Sequence, residues 1–215
     1  KQIDGVSILR DVSLTAAPGT ITGIVGRNGT GKSSLLRTIM GIWQPDGGEV
    51  RYRGRNIHRD PGVRRHLIFI PDSRELLPGY TPEGFAQLFA LIYPNFDVTA
   101  FRGWLERFQL PAGKQLRNFS KGMKALFYLA LSFATRAEVL LLDEPTEGLD
   151  PIYKQHCLRL ILEEVAERQT TVLISSHRLE ELQSVCDQVV FLKGGAVDAI
   201  LELATVQERF LKLQV

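Results

Sequence analysis

The chain has 215 residues, 44% of them hydrophobic and 23% charged, with a formal net charge of +2. That is the balance of one ordinary soluble globular domain, large enough to bury a core without staples, and its charge makes no case for nucleic acid. The longest uncharged apolar run, Ala125 to Thr135, is too short to span a bilayer, so any work at a membrane would need another chain to do the spanning.

In chain order, Val12-Ser13-Leu14-Thr15 alternates and Pro18-Gly19 turns the chain. Ile21–Val25 then reads as a short buried strand, followed by a glycine-rich loop and a helix over Ser34–Ile39. Asp46-Gly47-Gly48 and the segment Glu49–Tyr52, with the alternating Val12–Thr15, predict a small antiparallel sheet beside a parallel one. Arg51, Arg53, Arg55, Arg59, Arg64 and Arg65 cluster with His58 and His66; a nucleic-acid patch is conceivable, but the alternation reads more simply as a solvated strand face. Further apolar runs without alternation, Leu67–Ile70, Val139–Leu142, Thr171–Ile174 and Val189–Leu192, fit buried strands of a mainly parallel sheet.

The middle of the chain, roughly 80 to 135, reads as helices. Thr81-Pro82 is a cap followed by proline at the first helical position, and Phe85, Leu88, Phe89 and Ile92 follow helical spacing. Asp97 caps the next helix, with Phe101, Trp104, Leu105 and Phe108 inward and Pro111 ending it. These aromatics read as core. Asp150-Pro151 repeats the cap-then-proline pattern ahead of a stripe of Leu158, Ile161, Leu162 and Val165. The two cysteines, Cys157 and Cys186, fall in helix-like segments without a C-x-x-C and read as small core hydrophobes in a reducing compartment. No secretory leader is visible. With no repeat or linker, the expectation is one α/β domain over 1–215, with a helical subdomain inserted at about 73–135.

The chemistry begins at Gly26-Arg27-Asn28-Gly29-Thr30-Gly31-Lys32-Ser33, which fits G-x-x-x-x-G-K-[ST] between a strand and a helix. Backbone N–H groups at a helix N-terminus cradle phosphate, Lys32 reaches the β- and γ-phosphates, and the Ser33 hydroxyl sits on Mg²⁺. The loop and the adjoining Ser34 predict binding of a nucleoside triphosphate. Val139–Leu142 ends in Asp143 and Glu144, which suit a metal-holding acid and a base for the attacking water. His177 follows another strand and can reach the same crevice, because ligands gather at the carboxyl ends of parallel strands. Ser120, before the helix Lys124–Thr135, reads locally as an ordinary N-cap.

The order of these segments resembles the ATP-binding subunit of ABC transporters. Gly26–Ser33 matches the Walker A loop, Ser120-Lys121-Gly122-Met123 resembles the signature, Leu140–Glu144 matches Walker B, Gly148-Leu149-Asp150 resembles the D-loop and His177 matches the switch histidine. The resemblance covers nearly the whole chain. It implies a three-layer P-loop NTPase core with a mainly parallel sheet, an N-terminal antiparallel β subdomain and the inserted helices. It implies ATP and Mg²⁺ as ligands, hydrolysis through Glu144, and head-to-tail pairing with a second nucleotide-binding subunit whose Ser120 and Gly122 act in trans. An integral membrane permease would be the other partner, docking near the helical lobe and the loop from Asp72 to Tyr80, with this subunit peripheral on the cytoplasmic face. Ile92–Asp97 and Ser120–Lys124 look most like bacterial exporters of drugs, antibiotics or peptides; the runner-up is a soluble ABC-type ATPase of DNA repair, translation or cluster assembly. No nucleic-acid partner is expected.

Two places depart from the family pattern. Asp72 holds the position of the usual glutamine beside Mg²⁺ and attacking water; it accepts from a metal-bound water but, ionised, repels the γ-phosphate. The place of the aromatic that stacks on adenine falls, by alignment of Leu9–Ser13, near Ile3, where stacking would weaken to apolar contact, or outside this sequence.

Overall fold

The computed structural model describes residues 1–72 and 79–203. Its strands in chain order are β1 (Gln2–Ile3), β2 (Val6–Ser7), β3 (Ile21–Val25), β4 (Arg51–Tyr52), β5 (Arg55–Asn56), β6 (Leu67–Ile70), β7 (Val139–Leu142), β8 (Thr171–Ser176), β9 (Gln188–Lys193) and β10 (Ala196–Glu202). Its α-helices are α1 (Lys32–Ile39), α2 (Pro82–Ile92), α3 (Val98–Arg107), α4 (Lys121–Ala134), α5 (Pro151–Arg168) and α6 (Leu179–Leu182).

The central sheet has the order β10-β9-β3-β8-β7-β6. β9, β3, β8, β7 and β6 are parallel, and β10 closes one edge antiparallel to β9. The apolar runs are continuous because both faces are covered. Ile68, Ile70, Leu140, Leu142, Val172 and Ile174 face one core, shared with α4, α5 and the aromatics of α2 and α3. Leu67, Val139, Leu141, Leu173 and Ile24 face the other, with Leu35 and Leu36 of α1. Period-two alternation within each strand thus produces the three layers.

The helix caps follow from sequence. Thr81 accepts from the Gly84 N–H, Asp97 from Ala100, Ser120 from Met123, and Asp150 from Ile152 and Tyr153. Phe85, Phe101 and Phe127 are buried to 1% exposure or less, with T-shaped contacts from Phe127 to the other two, as expected of a core.

Four expectations are corrected. Val12–Thr15 joins no ladder; the small antiparallel pairs outside the central sheet are β1–β2 and β4–β5. Its alternation is real, since Val12 and Leu14 pack on the second core, but facing a core does not require pairing. Ile92 is 56% exposed, because α2 ends there and Tyr93, stacked on Phe89, covers the core instead. Leu162 is 39% exposed; the buried face of α5 is centred on Cys157, Ile161 and Glu164, and Leu162 lies a helical step off it. Cys186 lies in the loop between α6 and β9, although it is buried, as is Cys157.

The arginines at the β4–β5 hairpin are held by carboxylates. Arg51 pairs with Glu49, Arg53 with Glu138 and Arg55 with Asp60. Tyr52 donates to Glu138 at 2.5 Å and stacks on His66, which contacts the same carboxylate at 3.0 Å. Burial pushes the Glu138 carboxyl up, but these partners outweigh it and hold it below the usual range.

Candidate active site

β3, β6, β7 and β8 are parallel, so their carboxyl ends lie at one edge of the sheet. Each delivers a predicted residue there: Gly26, Asp72, the Asp143-Glu144 pair and His177 respectively. Thr30 closes the glycine loop by donating through its N–H and Oγ to the Arg27 carbonyl, at 3.2 and 2.8 Å. Gly31 is the N-cap of α1, with φ 102° and no side-chain cap. A Cβ there would stand 2.9 Å from Leu9 Cδ2 and 3.1 Å from the Ile8 carbonyl oxygen, so the position needs glycine for both conformation and space. The uncapped first turn leaves backbone donors for an anion.

Lys32 folds back under this loop. Its Nζ donates to the Gly26 carbonyl at 2.7 Å and lies 3.1 Å from Glu144 Oε1. Lys32 and Glu144 side chains are only 6% and 12% exposed, so the cation and the carboxylate meet in a largely dry setting. Asp143 is 1% exposed. Ser175, fully buried on β8, ties the two acids together: its Oγ donates to Asp143 Oδ1 at 2.7 Å and accepts the Glu144 N–H at 2.9 Å.

His177 Nδ1 is 3.2 Å from Glu144 Oε2 and 3.4 Å from Glu147 Oε2. The resulting cleft, about 450 Å³, is lined by Asn28, Gly29, Gly31, Lys32, Ser33, Ser34, Asp72, Glu144, Glu147, His177 and Ile8. A neighbouring cleft is lined by Arg27, Asn28, Gly29, Thr30, His177 and Gly194. The loop, Asp72, Glu144 and His177 therefore share one cavity. Ile3 is not among its lining residues; Ile8 is the apolar N-terminal residue that reaches it.

Ser175, Glu147 and Ile8 escaped sequence reasoning. Ser175 sits inside a strand run and Glu147 inside a turn, where neither shows a pattern. Only the register of β8 against β7, Leu142 opposite Ile174, places Ser175 beside the acids.

The segment Ser120-Lys121-Gly122-Met123 and Asp150 line neither cleft. They lie together elsewhere. The Tyr153 ring covers Gly122, where a Cβ would stand 3.2 Å from it, and the Lys121 Nζ would be 3.3 Å from a Cβ on Gly148. Asp150 Oδ1 accepts the N–H groups of Ile152 and Tyr153, both at 3.1 Å. Glu181 anchors this region to the His177 strand, accepting from Thr146 at 3.0 Å and Lys154 at 2.5 Å. Burial raises the Glu181 pKa, but those two donors outweigh it and keep the carboxyl below its usual value.

The family profile described as "ABC transporter" matches residues 9–147, and one described as "AAA domain, putative AbiEii toxin, Type IV TA system" matches residues 113–182. The ABC transporter ATP-binding protein YtrB of Bacillus subtilis is 39% identical over 214 residues, which is 100% of this chain and 73% of that protein. The methionine import ATP-binding protein MetN of Cereibacter sphaeroides is 33% identical over 89% of this chain and 57% of its own length. The dimeric structure of MJ0796, a bacterial ABC transporter cassette, shares the fold: TM-score 0.82 at 23% identity, over 91% of this chain and 90% of that one. The first profile spans more than half of the chain and the YtrB match spans all of it, so the chain belongs to the ABC transporter family, as an ATP-binding subunit.

Proposed function

We propose that this subunit hydrolyses ATP to power export through a separate membrane-spanning partner. The observation that carries hydrolysis is the convergence of Lys32, Glu144 and His177 in the cleft of the phosphate loop. ATP takes the loop Gly26–Ser33 with Ser34, and Lys32 turns from Glu144 to the phosphates. Glu144, released, takes the proton of the attacking water, and His177 meets the γ-phosphate. The Ser33 hydroxyl and the buried Asp143 carboxylate are hard oxygen donors that fit Mg²⁺, with Asp72 on the same cleft to accept from its water. When bound, the ion neutralises charge on the β- and γ-phosphates.

Ser120, Lys121, Gly122 and Met123 complete the site of a second subunit in trans, with Asp150 at the junction. The exposure of Ser120, Lys121 and Asp150 away from their own cleft supports this reading, as does the 80% exposure of Ile152 beside them. Chain 1–215 acts as one ATPase domain with the helical subdomain at about 73–135. The exposed Tyr80, Leu91 and Ile92 of that subdomain suit a permease surface, with the subunit peripheral on the cytoplasmic face. No helix among the described residues is long and apolar enough to cross a membrane. Residues 73–78 of the expected docking loop lie outside the described residues. MetN is named for import, so the direction rests on the exporter-like segments Ile92–Asp97 and Ser120–Lys124.

The test is Glu144→Gln. A missing general base costs about 10²–10⁴-fold in rate. ATP binding is expected to persist, with turnover down at least about a hundredfold and a long-lived ATP-bound dimer. Undiminished turnover refutes Glu144 as the base.

A further inference from the structure

One carboxylate in the cleft has no part in that cycle. Glu147 stands in the turn between β7 and α5, with its side chain 49% exposed. It approaches the same His177 nitrogen that Glu144 approaches, at 3.4 Å against 3.2 Å. One ligand atom from each of Glu144, Glu147 and His177 lies within 4.8 Å of the other two. Three donors around one point, with the cleft side open, form the half-shell of a three-ligand metal site. A tetrahedral zinc ion with bonds of about 2.0–2.1 Å places neighbouring ligand atoms about 3.3–3.4 Å apart. Both contacts to His177 Nδ1 match that spacing, and the two carboxylates, within 4.8 Å of one another, close up by at most about 1.5 Å when the ion binds.

We propose that Glu144, Glu147 and His177 form a binding site for a zinc-class divalent cation, and that the bound cation inhibits turnover by occupying the hydrolytic base. The donor set selects the class of ion. One imidazole with two carboxylates suits zinc, whereas Mg²⁺ takes oxygen ligands and keeps its waters. Among the described residues, the Asp72 carboxyl lines the same cleft, and two cations, Lys32 and Arg178, face the three donors. Lys32 Nζ, 3.1 Å from the other oxygen of Glu144, opposes a cation and keeps this site weaker than a closed structural zinc site. Arg178 Nε donates to His177 Nε2 at 3.2 Å, which places the ring proton on Nδ1. Metal at Nδ1 moves that proton to Nε2 and releases Arg178, whose side chain is 59% exposed and whose Nη1 already lies 3.9 Å from Glu181 Oε1. Cys157 and Cys186 do not compete, being buried, with burial pushing the Cys186 thiol up to about 12.

Zinc binding does not depend on hydrolysis, whereas the inhibition rests on Glu144 being the base. The experiment titrates zinc against a chromogenic chelator with the full wild-type chain, Glu147→Gln and His177→Ala, each checked for folding by circular dichroism. Turnover is measured against zinc, relative to the zinc-free rate of each protein. The expected result is one zinc per wild-type chain, at least tenfold weaker binding in both variants, and a matching rise in the zinc needed to halve turnover of Glu147→Gln. Absence of stoichiometric binding, or equal affinity in all three proteins, overturns the proposal. A wild-type chain that hydrolyses ATP but binds no zinc refutes this inference alone. One that binds zinc through these residues yet hydrolyses no ATP supports the metal site and refutes the hydrolytic reading.

Discussion

Glu144 has a backbone φ of 46°, a left-handed value that a residue with a β-carbon adopts at a cost of about 1–2 kcal/mol. The surroundings hold it there: its N–H is fixed by Ser175, and Pro145 follows immediately. The turn aims the carboxylate back at Lys32 and His177 instead of along the strand. The types Asp143 and Glu144 were legible because two acids ending an apolar run demand a reason; the brace that aims them was not, since a serine within a strand carries no signal. Asp72 is the opposite case. It stood out in sequence as an acid in an amide's place, and it does line the cleft. An ionised carboxylate near the γ-phosphate makes the local charge depend on the metal in a way that an amide does not. Asp72→Asn is therefore expected to change the Mg²⁺ concentration that supports half-maximal turnover by several-fold, measured at saturating ATP. The same Mg²⁺ curve in both proteins would remove Asp72 from the metal's surroundings.

At the scale of elements, the caps were the most legible features. Each is a local contract between one polar side chain and an N–H two or three residues on, so no distant partner is needed to predict it. Asp97 tests the energetics. It accepts the Ala100 N–H at 2.8 Å and an Arg136 N–H at 2.7 Å, and those bonds hold its carboxyl below the usual value. The folded pKa lies below the unfolded one. The stabilisation is therefore complete above the unfolded pKa, about 4, and is lost as pH falls through the lower folded value. Asp97→Ala is expected to cost about 1 kcal/mol at pH 7, mostly from the cap, because the half-exposed ion pair adds little. Urea denaturation at pH 7 and near pH 3 measures it, and the difference between the two proteins shrinks at the lower pH. An equal difference at both values would mean that the ionised carboxylate does not carry the effect. Pairing partners were less legible than caps. Val12–Thr15 alternates like a strand, yet a core on one side is enough to cause alternation, whatever lies along the edges.

For the molecule as a whole, one sequence feature divides into two places. The phosphate loop, Asp72, Glu144 and His177 share a cleft, while Gly122 of the segment Ser120–Met123 lies under the ring of Tyr153, whose N–H Asp150 accepts. The first grouping follows from parallel strands ending on one edge, a rule that reads directly from apolar runs and their polar ends. The second has no such rule; α4 and α5 bring it together through packing in the shared core. If each cleft is completed by the other chain's Ser120 and Gly122, lesions in the two groups must complement. Lys32→Ala disables the phosphate loop and Gly122→Asp disables the trans segment, so a homodimer of either variant has a lesion in both sites. A mixed dimer concentrates both lesions in one site and leaves the other intact. Random pairing of equal amounts gives half mixed dimers, hence about one quarter of all sites restored. Each variant alone is expected to be nearly inactive, and mixing them, with time to exchange subunits, should raise ATP turnover well above either parent. Verified mixed dimers with no gain would place Ser120 and Gly122 outside the partner's site.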